Sequence, residues 1–388
     1  MKELYWIWLQ SALGFGSKYL LPLIERFGEA EHIYNATEAE LSGIKISVQL
    51  RKKLLSKSLS PSEKIFRECQ ENGISVISFT SADFPDTLKQ ISTPPAVLYA
   101  KGDISLLGEE TAICIVGPRH VSVYGKKAAF SLAARLSLCG FTVVSGGAIG
   151  CDSSAHSGVL SVGGKTVCFL GAGICSDYLK QNIKLRKEIL KNGLLVTEYP
   201  PYYSASKYTF PVRNRLIAAF CLGTVVIEAA DKSGALITAN AAAEAGKDVF
   251  VIPGTPTSPE YMGSNKLLRD GAKPLLELSD IIVEYLPLYP HKITPEKAYS
   301  RKLSMKTEEK TEKVAEKPKE VKKIVKKSQE NLSKNAKIVY NQLDKPIFYL
   351  DELNRSELTN SEILAAITEL EIFGFIKALP GGKYGITE

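Results

Sequence analysis

Short apolar runs that end in glycine or proline recur through the middle of the chain. Between them lie stretches whose apolar positions fall at helical spacing. The first run, Ala112–Val116, is followed by Gly117-Pro118-Arg119 and then by a helix pattern over 125–138, with Ala129, Leu132, Ala133 and Leu136 in register. Gly140 ends that pattern, a second run, Phe141–Val144, leads into Ser145-Gly146-Gly147, and another helix opens near Asp152. Continuous apolar strands alternating with amphipathic helices predict a βαβ unit whose parallel strands are covered on both faces. The alternation continues with strand 165–170, helix 183–190, strand 194–198, helix 216–221, strand 224–228, an alanine-rich helix from Ser233 to Ala245, and strand 248–252. Strands and helices in this order predict an α/β fold with a doubly wound parallel sheet.

The two glycine turns follow two strands of one unit, so they are expected side by side at the carboxyl edge of the sheet, where open α/β folds bind ligands. Glycine lets a ligand approach the backbone, N–H groups at a helix start attract anions, and Arg119 adds a fork suited to phosphate. A phosphate chain is the expected ligand, belonging either to a nucleotide or to a polynucleotide.

The flanks differ in character. Residues 1–60 read as a small helical domain: an amphipathic helix over 5–13, a turn Leu13-Gly14-Phe15-Gly16, and a helix over 18–27 capped by Ser17. A hairpin of this form resembles the helix–hairpin–helix motif, which presents backbone N–H groups to DNA phosphates without reading sequence; a plain helical turn is the alternative. A poorer second copy lies around Leu41-Ser42-Gly43-Ile44. The stretch 61–103 is expected to add a βα layer ahead of the main sheet, with a helix over 62–72, a strand over 74–79 and a short strand ending at Gly102. Residues 288–332 are rich in Lys, Glu and Pro and read as a flexible linker. Residues 333–388 combine a helix over 335–343, a short helix at Asp351-Glu352-Leu353, a helix over 361–371 capped by Asn360 or Ser361, and a hairpin turning at Pro380-Gly381-Gly382. Three helices and a hairpin predict a winged-helix shape. Glu362, Glu369 and Glu371 on its third helix argue against insertion into a DNA groove and favour a protein contact or a vestigial role.

Charge sharpens this division. Residues 292–327 hold thirteen Lys or Arg against six Glu, a surplus equal to the whole chain's net charge of +7. The remainder is formally neutral, so any basic patch on the globular part must be built locally by a few residues. No apolar run is long enough for a membrane span, and the N-terminus lacks a signal-peptide cleavage pattern, so a cytoplasmic protein is expected. Seven cysteines without a C-x-x-C pair read as reduced, mostly buried thiols, and the four histidines show no ligand spacing, so neither a metal nor another cofactor is expected.

Several blocks together resemble the DNA-processing protein A family (DprA, also called Smf) of bacterial transformation. They are Val116-Gly117-Pro118-Arg119; Ser145-Gly146-Gly147 with Gly150, Asp152 and Ala155-His156; Phe210-Pro211-Val212-Arg213-Asn214-Arg215-Leu216-Ile217; Glu228-Ala229 with Ser233-Gly234-Ala235-Leu236-Ile237-Thr238-Ala239; Val251-Ile252-Pro253-Gly254; and Asn265 with Gly271-Ala272. The resemblance covers about 61–285 strongly. It implies an extended Rossmann-like domain over 61–287 that binds single-stranded DNA without sequence preference, usually as a homodimer. It also implies an N-terminal helical domain of SAM or helix–hairpin–helix type, a C-terminal winged-helix domain, and no catalysed reaction. The implied role is recombination mediator in natural transformation: protecting incoming DNA and loading a RecA-type recombinase onto DNA otherwise covered by single-strand DNA-binding protein. The chain departs from the family's usual residues at Pro118 (serine), Ile149 (arginine), Cys151 (isoleucine) and Leu179 (proline). Proline at 118 removes a backbone donor, and the missing arginine removes a phosphate contact.

Mapped onto this chain, Gly117 and Arg119 meet a phosphate at the first turn, Ser145, Gly146 and Gly147 donate N–H groups at the second, and Lys180 adds a positive point at the next strand end. Arg213 and Arg215 either reach phosphate or pair with acids such as Glu228. Asn214 and Asn265 either bond phosphate or cap turns. Tyr124, Tyr202, Tyr203 and Tyr208 either stack bases or pack loops. An enzymatic alternative is a nucleotide phosphoribohydrolase on the same sheet, with Asp152 and His156 as an acid–base pair. That family's P-G-G-x-G-T turn and following glutamate are missing, however, and Asp152 more simply caps a helix.

Overall fold

The structure, a computed structural model, describes residues 2–178, 180–299, 332–343, 347–349, 353, 358–379 and 383–387. Most of the expected linker (300–331) lies outside the described residues, as do Leu179, Asp351 and Glu352 of the expected short helix, and the hairpin turn 380–382. The chain divides into two compact units, Met1–Lys306 and Thr307–Glu388.

The first unit is built on one sheet. In chain order its strands are β1 Ser75–Ser78, β2 Val97–Gly102, β3 Ala112–Val116, β4 Thr142–Ser145, β5 Thr166–Phe169, β6 Leu194–Thr197, β7 Gly223–Val226, β8 Asp248–Val251 and β9 Lys273–Pro274. They lie in the spatial order β1-β2-β6-β5-β4-β3-β7-β8-β9. From β6 to β9 all neighbours are parallel, whereas β2 pairs antiparallel with both β6 and β1. The chain winds outward from β3 through β4 and β5 to β6, then returns to the other side of β3 for β7 and β8. The reversal leaves a crevice at the carboxyl ends of β3 and β7, the topological switch point of this Rossmann-like sheet. Every residue of β3 to β7 is buried, which is why those strands read as unbroken apolar runs.

Two expectations are corrected. The stretch 61–103 is not a separate layer: β1 and β2 extend the main sheet at one edge, covering the open side of β6. The block starting at Phe210 does not lead into a helix; it is the helix, Thr209–Phe220. Proline at 211 suggested a later start, but in a first turn its missing N–H has no intrahelical partner to lose.

The N-terminal helices share the core of the sheet. Trp6, Ile7, Leu9, Leu20 and Leu23 pack in one apolar cluster with Leu98 and Tyr99 of β2. Buried Gln10 accepts hydrogen bonds from the N–H groups of Ala96 (2.6 Å) and Val97 (3.2 Å) as the chain enters β2. The helix predicted from Lys18 begins at Leu20, and Ser17 accepts a bond from the Tyr19 N–H.

In the second unit, helices Lys334–Gln342 and Asn360–Ile372 pack against an antiparallel sheet, ordered β10 (Ile347–Tyr349), β12 (Lys383–Ile386), β11 (Ile376–Leu379). Strand β10 was not predicted. The cap of the second helix is Thr359, one residue before the expected cap, because Glu362 returns a bond to the Thr359 N–H in a capping box. Glu369 accepts from the N–H and hydroxyl of Ser333. Glu371 accepts from the Ala378 N–H at 3.2 Å, so all three acids that set this helix against a DNA groove are bonded within the unit.

Among the described residues no helix is long and apolar enough to cross a membrane, and no three His, Cys, Asp or Glu cluster as a metal site requires. The seven cysteines are free and all but Cys175 are buried.

Helices Val123–Leu138 and Cys151–Ser161 cross where Gly158 lies against the backbone of Phe130, and a Cβ there would overlap the Phe130 carbonyl. Gly158→Ala is therefore expected to lower stability by about 1–3 kcal/mol despite alanine's higher helix propensity. Thermal melting checks this; a variant as stable as the parent would mean that the crossing is looser than described.

Candidate nucleic-acid interface

A cleft of about 360 Å³ opens at the switch point. Gly117, Pro118 and Arg119 after β3, and Gly146 and Ala148 after β4, form part of its wall. Phe210, Arg213 and Asn214 of helix Thr209–Phe220 form another part. The start of helix Gly234–Glu244, at Ser233, Gly234 and Ala235, completes it. Helix Gly234–Glu244 thus borders the concavity with its positive end, which favours an anion, whereas helix Cys151–Ser161 contributes the Asp152 carboxyl to the wall.

Arg119 is exposed and held from two sides. Its Nη2 donates to the Tyr178 hydroxyl at 3.0 Å, and its guanidinium lies 5.1 Å from the Phe210 ring centroid. Tyr178 and Phe210 contact each other, ring centroids 5.3 Å apart. The result is a cation fixed beside an aromatic face, with donors left over. Lys180 is exposed beyond Tyr178 and makes a loose pair with Asp177 at 3.5 Å.

Arg213 behaves differently. It is buried, its Nη1 donates to the carbonyls of Gly146 (2.7 Å) and Phe169, and its Nε donates to Asn214 Oδ1 at 2.9 Å. A Cβ on Gly146 would overlap the guanidinium, so the second glycine turn is glycine in order to seat this arginine. Arg215 pairs with Glu198 at 2.6 Å and not with Glu228. Glu228 accepts from the Ser122 N–H (3.0 Å), the Ser122 hydroxyl and the Tyr261 hydroxyl (3.0 Å), fixing the start of helix Val123–Leu138. Asn265 is tied to both backbone groups of Gly254 and caps the turn after β8.

The turn after β4 also departs from expectation. Its amides were expected to face a ligand, but the Gly146 N–H and, at 3.2 Å, the Ala148 N–H bond the Asp152 carboxylate. Asp152 is not the helix cap, a place taken by Gly150; it is the turn's own anion. The Ser145 hydroxyl donates to the Ile115 carbonyl at 2.7 Å, and the Gly147 carbonyl accepts from Asn182 at 3.0 Å. Burial raises the Asp152 carboxyl above its ordinary range, against the pull of Arg213. His156 is fully buried, its Nδ1 2.8 Å from the Thr166 hydroxyl oxygen, and burial, aided by Arg213, drives its pKa down to about 3. It is a neutral core residue, out of reach of a substrate.

The structure thus gathers Gly117, Arg119, Gly146, Arg213 and Asn214 around one cleft. Ser145 and Gly147 lie just behind it, Lys180 follows Tyr178 outside the lining, and Arg215 points to the N-terminal helices. Phe210, Tyr178, His120 and the 233–235 helix start were not singled out as site residues. Phe210 stood in the quoted motif, but only the fold shows that its ring faces Arg119.

A family model described as DNA recombination-mediator protein A matches residues 75–286. The chain belongs to that family. It is 37% identical over 221 residues to DNA processing protein DprA of Bacillus subtilis, a match that covers 57% of this chain and 74% of the relative. It is 29% identical over 399 residues to Protein Smf of Synechocystis, covering 99% of this chain and 98% of the other. The X-ray structure of DNA processing protein A from Streptococcus pneumoniae is similar at 30% identity and a TM-score of 0.64, covering 72% of this chain and 97% of that one. A structure reporting the unique single-stranded DNA binding mode of DNA processing protein A from Helicobacter pylori is similar at 30% identity and a TM-score of 0.51, covering 56% of this chain and 97% of that one. The matched span of this recombination-mediator family contains every residue of the cleft.

The first hairpin, read either as a turn offering N–H groups to DNA or as a plain helical turn, is used internally: the Gly16 N–H bonds buried Glu198. Phe15 packs on Tyr199 and Tyr203, with centroids at 4.5 and 5.1 Å, and Tyr202 accepts from Asn72 at 3.2 Å. Of the four candidate tyrosine platforms, Tyr203 serves this docking and Tyr202 is tied to Asn72, and all four keep an exposed surface.

Glu198 and His156 carry opposite pH signatures. Burial raises Glu198 from 4.5 to about 6, partly offset by Arg215 and the Gly16 N–H. Its folded value exceeds its unfolded value, so its contribution to stability is complete below the unfolded pKa and is lost as pH rises through about 6. The depressed His156 contributes stability above its unfolded value of 6.5 that is lost as pH falls toward about 3. Denaturant unfolding of the parent and Glu198→Gln at about pH 5 and about pH 7.5 cancels the histidine. Relative to the parent, the variant should gain about 1 kcal/mol on going to the higher pH. An equal difference at both pH values would show that Glu198 does not titrate in the fold.

Proposed function

We propose that the chain binds single-stranded DNA without sequence preference at this cleft, making and breaking no covalent bond. Arg119 carries the reading: an exposed guanidinium, pre-set by Tyr178 and Phe210, on the rim of a concavity bordered by the N-terminus of helix Gly234–Glu244. A fixed cation beside an aromatic face suits a flexible strand, whose phosphate seeks charge and whose base seeks a stacking surface. Arg119 and Lys180 make the phosphate contacts in this reading, and Gly117, Gly146 and Gly147 shape the turns beside them by packing closely on Cys151, Arg213 and Cys168. Ser145, Arg213, Asn214 and Arg215 support the site by holding its turns and its helix. The fold and family likeness to the Helicobacter pylori protein supports the same ligand.

Within the family's mediator role, we assign the chain to the cytoplasm in natural transformation. It acts as a homodimer that protects incoming DNA and loads a RecA-type recombinase where single-strand DNA-binding protein would otherwise stay. We keep the division into a helical domain (1–60), the DNA-binding domain (61–287), a linker (288–332) and a winged-helix domain (333–388). The nucleotide hydrolase reading has no supporting geometry, since Asp152 and His156 are bonded to their own chain.

Fluorescence anisotropy with a labelled oligonucleotide tests the reading. Binding should be tighter to single than to double strands, and log affinity should fall with log salt by about 0.7 per phosphate contacted. Arg119→Ala with Lys180→Ala should weaken binding about tenfold or more and flatten the slope by about two phosphates' worth. Unaltered binding would remove the cleft from consideration.

A further inference from the structure

The N-terminal helices are electrically divided. Residues 20–42 carry five glutamates and one arginine, whereas residues 43–62 carry Lys45, Arg51, Lys52, Lys53 and Lys57 and no acid. The neutral sum of the globular part conceals this segregation.

The fold presents the basic half to solvent. It comprises the second, poorer hairpin, Ser42 to Ile46, and helix Val48–Leu55, capped by Ser47. Leu50 and Leu54, one turn apart, face the core, which turns Val48, Gln49, Lys52 and Lys53 outward; Val48 is 68% exposed. Lys57 is spent on the Ala36 carbonyl at 2.9 Å. Among the described residues no carboxylate pairs with Lys45, Arg51, Lys52 or Lys53, and the Arg51 Nε has no partner. Lys53 also forms a wall of a shallow groove of about 220 Å³ shared with Ser11, Ser56 and Ser58; the Ser11 hydroxyl donates to the Ile7 carbonyl, and those of Ser56 and Ser58 suit phosphate oxygens.

Exposed cations in a stretch without any acid give a local positive potential that attracts a polyanion. Residues 41–62 contain no aromatic side chain, and the two beside them are engaged within the fold. Buried Trp8, at the groove's floor, packs edge-on with Tyr34, whose hydroxyl donates to the Lys57 carbonyl at 2.7 Å, so neither is a free platform for unstacked bases. Charge and hydroxyls without stacking fit a ligand whose bases are already paired and whose phosphates are closely spaced. We infer that the surface formed by Lys45, Lys52 and Lys53 binds the backbone of duplex DNA, as a second nucleic-acid site apart from the cleft. A mediator with both surfaces would hold the boundary between paired and unpaired DNA.

The full chain carrying Lys45→Gln, Lys52→Gln and Lys53→Gln tests this against a labelled duplex, a labelled single strand, and phosphatidylserine vesicles. Duplex affinity should fall about tenfold or more near 50 mM salt, with the log–log salt slope shallower by about 0.9 for each phosphate no longer neutralised. Single-strand affinity should stay within about twofold, while Arg119→Ala should do the reverse. Loss of single-strand binding in Arg119→Ala alone concerns the cleft, so the two readings fail separately. No duplex binding by the parent chain, a duplex slope unmoved in the triple variant, or loss of vesicle binding with duplex affinity intact overturns the inference.

Discussion

A buried guanidinium is the constraint on which the site depends. Arg213 sits where β4 and β5 end, and a positive charge there is tolerable only because carbonyls of Gly146 and Phe169 and the side chain of Asn214 accept its protons. The Asp152 carboxyl, attracted by Arg213, binds the turn's amides. Helix, two strand ends and glycine turn are thereby fastened to one another. Removing Arg213 would leave the Gly146 and Phe169 carbonyls without this donor, and removing Asp152 would leave the turn's amides without their acceptor, each costing more than an exposed ion pair contributes.

Helix Thr209–Phe220 carries that constraint in two directions. One turn presents Phe210 and Arg213 to the cleft, and Arg215 reaches the Glu198 carboxylate, which also holds the Gly16 N–H. The N-terminal hairpin and the cleft are thus braced by the same element. Phe15 against Tyr199 and Tyr203 adds an apolar seal to this contact. Arg119 occupies the complementary position: exposed, oriented by a ring and a hydroxyl, with donors remaining for a ligand. Two arginines that look alike in sequence therefore differ in whether their donors are spent: those of Arg213 are buried against its own chain, and Arg119 keeps some in solvent.

Much of the fold was legible because strands buried on both faces must be apolar throughout and glycines must punctuate them. Ala112–Val116, the Ser145-Gly146-Gly147 turn and the capped helix after Ser233 all follow from that rule. The same reading placed two glycine turns at one rim and selected Arg119 beside them. It misjudged Pro211, since proline marks a helix interior break but is neutral in a first turn. It missed β9 and β10, which are two and three residues long and carry no periodicity to detect.

The order of apolar and polar residues determined a doubly wound sheet, its glycine-edged rim and the family to which the chain belongs, because local periodicity and short motifs are written in neighbouring residues. Tertiary structure alone decided which donors remain available. Gly146, Asp152 and Arg213 are separated along the chain but satisfy one another in space, and the Gly16 N–H is claimed by Glu198 far away in sequence. A hydrogen-bond donor can be spent once, and where it is spent depends on long-range packing that no local pattern records.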